Sequence, residues 1–163
     1  MKMEYYPHIV CDPEKCVGCR MCELACSMTK EGVFAPLLSR IRNVRIEPIV
    51  QMTISCRLCQ DPPCVIACPR DALSQSAETG IIIVDEDLCD GCGWCIEACP
   101  FGAIALYPAK KVVVICDLCQ DLEEPQCVKY CPKEALSLST TEMVAQKARK
   151  EAVTKLLEEL VAG

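Results

Sequence analysis

Before Ser139 the apolar positions come in short runs rich in β-branched residues, at Ile41 to Ile46, Gly80 to Val84, Ile104 to Tyr107 and Lys111 to Ile115. Runs of this kind predict short strands. The last two flank Pro108-Ala109-Lys110 and predict a hairpin. From Ser139 the period changes. Ala145, Ala148, Ala152, Leu156 and Leu160 recur at intervals of three and four, and Ser139-x-x-Glu142 has the form of a capping box. This predicts a C-terminal amphipathic helix of about five turns at roughly 3.6 residues per turn. Its apolar stripe is expected to pack across the body of the protein, with mixed charges such as Glu151 and Lys155 on a solvated face.

Between these runs lie the cysteines. Sixteen of the 17 fall into four quartets. The first, Cys16, Cys19, Cys22 and Cys26, and the third, Cys89, Cys92, Cys95 and Cys99, are spaced C-x2-C-x2-C-x3-C. The second, Cys56, Cys59, Cys64 and Cys68, and the fourth, Cys116, Cys119, Cys127 and Cys131, widen only the middle gap. Proline follows the last cysteine at Pro69, Pro100 and Pro132. This is the ligand pattern of bacterial iron-sulfur proteins, in which the fourth cysteine of a run serves the other cluster of a pair.

The spacing has a physical reason. Three thiolates two residues apart wrap one loop around three corners of a cubane, and the fourth corner must come from elsewhere. Gly18 and Gly91 are expected at positive φ, where backbone N–H groups can approach the cluster. The prolines turn the chain away. A helical turn is expected after each x3 gap. Zinc sites are normally built from two separated pairs and close at four ligands, so four crowded runs fit them poorly. A disulfide framework is the other alternative, but it belongs to short secreted chains, and no signal peptide is evident.

Composition changes the picture in two ways. The hydrophobic share of 52% counts the cysteines; without them roughly 42% of the chain is apolar, an ordinary level that leaves a modest core. Much of the order should therefore come from bound metal, and the chain without it is expected to be largely unfolded. The formal charge of -6 would reach about -14 with four clusters at about -2 each, which argues against nucleic acid or an anionic membrane as partner. With no long apolar run and no twin arginine, the expectation is a cytoplasmic protein without membrane insertion. No nucleotide fingerprint, P-loop or histidine-based acid or base is present, so the chain is expected to conduct electrons without being an enzyme itself. Cys11, outside the quartets, reads as a buried free thiol. Trp94 reads as a packing residue or a screen for a cluster, and His8 is assigned no role.

The quartets repeat with their surroundings. Cys56-Arg57-Leu58-Cys59-Gln60-Asp61 returns as Cys116-Asp117-Leu118-Cys119-Gln120-Asp121, and Pro69-Arg70-Asp71-Ala72-Leu73-Ser74 as Pro132-Lys133-Glu134-Ala135-Leu136-Ser137. A two-quartet unit has been used twice. From Cys16 to Pro132 the chain resembles the four-cluster ferredoxin-like electron-transfer subunits of multisubunit oxidoreductases. These include dimethyl sulfoxide reductase beta subunits, the iron-sulfur partner of carbon monoxide dehydrogenase and small subunits of tungsten aldehyde oxidoreductases.

The resemblance implies an α+β fold, a duplicated two-cluster ferredoxin with interleaved modules. One module would be residues 1–50 with 108–138, the other 51–107, and 139–163 the terminal helix. It implies four 4Fe-4S clusters with crossed ligation. Cys16, Cys19, Cys22 and Cys131 would hold one, and Cys116, Cys119, Cys127 and Cys26 its neighbour. Cys56, Cys59, Cys64 and Cys99 would hold a third, and Cys89, Cys92, Cys95 and Cys68 the fourth. With all sixteen cysteines present, none should be a three-iron cluster. The implied partners are a catalytic subunit, with a tungsten- or molybdenum-pterin aldehyde oxidoreductase favoured, and a ferredoxin or other redox subunit. Partnership with carbon monoxide dehydrogenase, hydrogenase or formate dehydrogenase, or a free polyferredoxin shuttle, are the alternatives, and a zinc-binding interaction module is the remote one. Ser27, where the family has proline, is the local departure.

Overall fold

The computed structural model describes residues 6–46 and 50–161. Four two-stranded antiparallel sheets alternate with short helices. Strand β1 (His8–Cys11) pairs with β8 (Leu136–Ser139), β2 (Arg42–Ile46) with β3 (Val50–Ile54), β4 (Leu73–Gln75) with β5 (Ile82–Val84), and β6 (Ala105–Tyr107) with β7 (Val112–Val114). The hairpin expected around Pro108-Ala109-Lys110 is β6–β7, with Leu106 opposite Val113. The β1–β8 pair joins segments far apart in the chain and so brings the first and fourth quartets together.

The helices are α1 (Met21–Glu31), α2 (Pro63–Ile66), α3 (Trp94–Ala98), α4 (Gln126–Lys129) and α5 (Thr141–Val161). Helix α1 packs against α4, and α2 against α3. These two helix pairs fall one in each expected module, whereas the β2–β3 and β6–β7 hairpins straddle the expected boundaries.

In the last three quartets the helical turn lies before the last cysteine, not after it; only in the first does helix follow the x3 gap. Helices α2, α3 and α4 contain Cys64, Cys95 and Cys127 and end at or just before Cys68, Cys99 and Cys131. The x3 gap is one helical turn, and a following proline disfavours helical backbone at the residue before it. The chain then turns through a left-handed residue, Asp71, Gly102 or Glu134 in turn, into the next strand. In the first quartet Ser27 stands where the others have proline. Helix α1 therefore continues through Cys26 to Glu31 and stops at Gly32, whose φ is 70°.

The core is divided in two, and cysteines are part of both halves. Ile9, Ile41 and Leu136 pack with Cys22, Cys26 and Cys127. Leu58, Leu73, Ile81, Ile82, Ile104 and Ile115 pack with Cys56, Cys64, Cys95 and Cys116. Helix α5 departs from expectation. None of its residues is buried; Leu156 and Leu160 are 56% and 70% exposed, and a 3.9 Å pair from Lys147 to Asp12 ties it to the body. A stripe made largely of alanines buries too little apolar area to hold a helix down. Its cap is Thr140, whose Oγ1 accepts the Met143 N–H at 3.3 Å, one residue later than the capping box predicts.

Candidate iron-sulfur sites

In each quartet the residue before the second cysteine takes a left-handed backbone. Gly18 and Gly91 have φ of 66° and 69°, as their glycines predict. In the other two quartets the same position is Leu58 and Leu118, with φ of 48° and 57°. A side chain there costs roughly 1–2 kcal/mol. Burying Leu58, which is 3% exposed, returns about 1.5–3 kcal/mol, so leucine is retained. The loops thus share one conformation by two means, and the second is invisible to a search for glycine.

The structure brings the sixteen cysteines together in crossed groups. Cys16, Cys19, Cys22 and Cys131 line one pocket, site I. Cys89, Cys92, Cys95 and Cys68 line a second, site IV. Cys127 lies within electrostatic reach of Cys116, Cys26 and Cys119, the group labelled site II, and more weakly of Cys22 of site I next to it. Cys64 lies beside Cys56 and Cys99, and Cys59 beside Cys99, forming site III. The third and fourth cysteines of each quartet, one helical turn apart, face adjacent sites. Helices α1 and α4 therefore bridge sites I and II, and α2 and α3 bridge sites III and IV. Cys116 is within reach of Cys56, which sets site II beside site III. The order along the molecule is I, II, III, IV.

Backbone donors point at several of these sulfurs. The N–H of Ala135 lies 3.3 Å from Sγ of Cys131, that of Ala103 3.5 Å from Cys99, and that of Arg40 3.3 Å from Cys26. Burial pushes the thiols of Cys22, Cys56, Cys64 and Cys95 up to about 11 and that of Cys116 to about 12. Burial also raises Cys127, helped by the negative charge that Cys116 and Cys26 would carry. Left alone these thiols stay protonated at neutral pH, so iron must displace their protons. The donor set and its enclosure fit 4Fe-4S clusters. Among the described residues no three His, Cys, Asp or Glu side chains converge closely enough for a single metal ion. A tetrahedral zinc would gather four sulfurs at about 2.3 Å, whereas a cubane takes each at its own corner.

Charge is concentrated beside site II. Asp117 accepts from Lys30 at 2.7 Å and from Arg40 at 2.8 Å. Burial pushes its carboxyl up, but the two cations outweigh burial and hold it below the usual carboxylate range. Of the residues weighed singly, Trp94 is 65% exposed and is therefore not a packing residue. Cys11 is half-buried in β1 beside Cys16 and Thr53, and burial pushes its thiol to about 11. His8, given no role by the sequence, is fully buried and bonded to Arg57. Its partner is forty-nine positions away, so no local motif marks the pair.

A family model described as 4Fe-4S dicluster domain matches residues 49–141, and one described as 4Fe-4S binding domain matches residues 13–29. The chain is 46% identical over 124 residues to the aliphatic sulfonate oxidoreductase, polyferredoxin-like subunit, of Pyrococcus furiosus, covering 76% of this chain and 70% of that one. It is 33% identical over 153 residues to the B subunit of the anaerobic dimethyl sulfoxide reductase of Escherichia coli, covering 83% and 74%. Among solved structures it matches a component of the active site complex BamBC of benzoyl coenzyme A reductase with 1,5-dienoyl-CoA. That match has a TM-score of 0.50 at 26% identity and covers 83% of this chain and 76% of the other. The chain therefore belongs to the 4Fe-4S dicluster family of iron-sulfur electron-transfer subunits, and its cofactors are four 4Fe-4S clusters.

Proposed function

We propose that this chain relays electrons along sites I to IV between a catalytic oxidoreductase subunit at one end and a redox partner at the other. One observation carries the reading. Cys19 of site I and Cys92 of site IV are exposed, while all four cysteines of site II are buried and so are Cys56 and Cys64 of site III. A row of four sites whose exposed cysteines belong to its two ends is the arrangement a wire needs. Exposed apolar side chains flank both openings, Val17 and Met21 beside Cys19, Leu88 and Trp94 beside Cys92. Such patches mark contact surfaces.

In this reading the ligands of each site are the crossed sets expected from the sequence, with Cys131 on site I, Cys26 on site II, Cys99 on site III and Cys68 on site IV. The clusters supply one-electron redox chemistry. The chain's own residues hold them in a row, bury the ligands of site II, partly bury those of site III and direct N–H groups at the sulfurs. No helix among the described residues is long and apolar enough to cross a membrane. The proposed setting is the cytoplasm. The proposed catalytic partner is a tungsten- or molybdenum-pterin oxidoreductase, an aldehyde oxidoreductase being favoured on the compact size of this chain. A relative named as the polyferredoxin-like subunit of an aliphatic sulfonate oxidoreductase supports a subunit role.

Purification from the native host at mild salt, with metal analysis of the co-eluting subunits, tests this. Near-stoichiometric tungsten or molybdenum supports the reading. Nickel assigns the chain to a dehydrogenase or hydrogenase, and elution alone at every salt concentration makes it a free shuttle.

A further inference from the structure

Sites I and IV are built alike. Each is formed by a C-x2-C-x2-C loop, a cysteine from another quartet, and one face of a β-hairpin. The hairpins present different cross-strand pairs to the two sites. At site I, Asn43 stands opposite Thr53 in the β2–β3 ladder, and both line the pocket. At site IV the β6–β7 ladder sets Leu106 opposite Val113, which lines that pocket.

The polar pair is aimed at sulfur. Thr53 Oγ1 lies 3.8 Å from Sγ of Cys22 and 4.0 Å from Sγ of Cys16, and Asn43 Nδ2 lies 3.9 Å from Sγ of Cys16. Thr53 is 6% exposed, so its hydroxyl has little access to water. The hairpin is fixed in place. The Asn43 backbone N–H donates to Oε1 of Glu23 at 2.9 Å, and Nδ2 of Asn43 also donates to the Met52 carbonyl at 3.3 Å. Glu23 is itself 2% exposed and paired with Arg20 at 2.6 Å. A buried carboxylate thus anchors the strand that presents both donors. Among the described residues, these are the side-chain amide and hydroxyl groups found at the sulfurs of a quartet.

We propose that Asn43 and Thr53 are positioning residues that raise the reduction potential of site I, by donating hydrogen bonds to the thiolates of Cys16 and Cys22. The inference rests on the crossed ligand set given above. One-electron reduction adds a negative charge that spreads onto the ligand sulfurs. Donors aimed at those sulfurs stabilise the reduced form more than the oxidised one. Ligand-directed groups outside the coordination shell tune a metal centre in this way, commonly by tenfold or more in the governing equilibrium. The apolar pair at site IV offers no such bond, so the two open ends of the wire are tuned differently.

The test is a redox titration of the reconstituted full chain, followed by electron paramagnetic resonance and with iron counted in every sample. Thr53→Val removes the hydroxyl at nearly constant shape, Thr53→Ser keeps it, and Asn43→Ala removes the amide at a less buried position. With full iron retained, Thr53→Val is expected to lower one midpoint by a tenfold change in the reduction equilibrium, about 59 mV for one electron. Asn43→Ala should lower the same midpoint, Thr53→Ser should restore it, and the other three should stay in place. No movement, or equal movement of all four, overturns the proposal. If Thr53→Val fails to take up iron, Asn43→Ala decides alone on the same terms. Cys131→Ala separates the underlying ligand assignment from the tuning. If the midpoint sensitive to Asn43 and Thr53 keeps its signal unaltered in that variant, the tuning stands and the crossed ligand set fails.

Discussion

The Arg57 guanidinium donates to Nε2 of His8 across 2.9 Å, and His8 is 1% exposed. Nδ1 of the same ring faces the Tyr6 carbonyl at 3.4 Å. Both contacts suit a neutral imidazole that carries its proton on Nδ1. Arg57 belongs to the loop between Cys56 and Cys59 and lies over the ring of Phe101 at 5.5 Å, so the pair ties strand β1 to the site III loop.

Burial first, and then the charge of Arg57, hold the His8 imidazole below its ordinary value. The unfolded chain takes up a proton near pH 6.5 while the folded one does not, so stability is lost as pH falls below about 6.5. Chemical unfolding of the cluster-loaded protein between about pH 5 and about pH 8 checks this. The slope should flatten in His8→Gln, whose side chain can accept from Arg57 but cannot titrate. An unchanged slope would remove His8 as its source.

A Cβ at Gly91 would run into the carbonyl oxygen of Lys111, which is backbone, whereas the atoms nearest to one at Gly18 belong to the side chain of Gln51. Both positions also have positive φ. Gly91→Ala is therefore expected to cost the cluster at site IV, reducing iron from about sixteen to about twelve per chain. Gly18→Ala should retain more iron than Gly91→Ala. Iron analysis after identical reconstitution decides the order.

Replacing Asp117 by Asn leaves Lys30, whose side chain is 8% exposed, and Arg40, at 23%, without their shared carboxylate. The expected destabilisation is about 2 kcal/mol, set by two cations left partly buried rather than by the lost attraction. Denaturant unfolding of Asp117→Asn against wild type measures it. Lys30→Met should cost less, because Asp117 keeps Arg40.

The quartets make the cofactor legible, since four runs of closely spaced cysteines match the spacing that 4Fe-4S clusters require. The hairpin at Pro108-Ala109-Lys110 and the helix after Ser139 are legible too, because each has a strong local period. The β1–β8 pair is not. Each strand has four residues, and what selects the pairing is the distant closure of one module on itself. In the three quartets followed by proline the helical turn falls on the opposite side of the last cysteine from the one expected, because the clash of proline with its preceding residue ends a helix there rather than opening one. Leu58 and Leu118 conceal the repeated left-handed turn, and the donors at site I come from a hairpin that carries no cysteine. Helix α5 has a readable period, but its alanine-rich stripe says little about whether anything covers it.

Iron and acid-labile sulfide in the reconstituted chain should each number about sixteen, with a brown colour. Two to four zinc ions and no visible absorbance would instead support an interaction module. The clusters' negative charge predicts potentials nearer about -400 mV than the positive end of the range, and most clusters reduced above 0 mV would contradict that.

Crossed ligation in a row of four is the central claim. The most direct measurement is a diffraction experiment on the cluster-loaded protein at the iron absorption edge. The account predicts four cubanes in the order I, II, III, IV, with Cys131 bonded to the cluster of Cys16, Cys19 and Cys22, and Cys26 bonded to that of Cys116, Cys119 and Cys127. Cys26 bonded instead to the cluster of Cys16, Cys19 and Cys22, or clusters I and IV lying side by side, would contradict it.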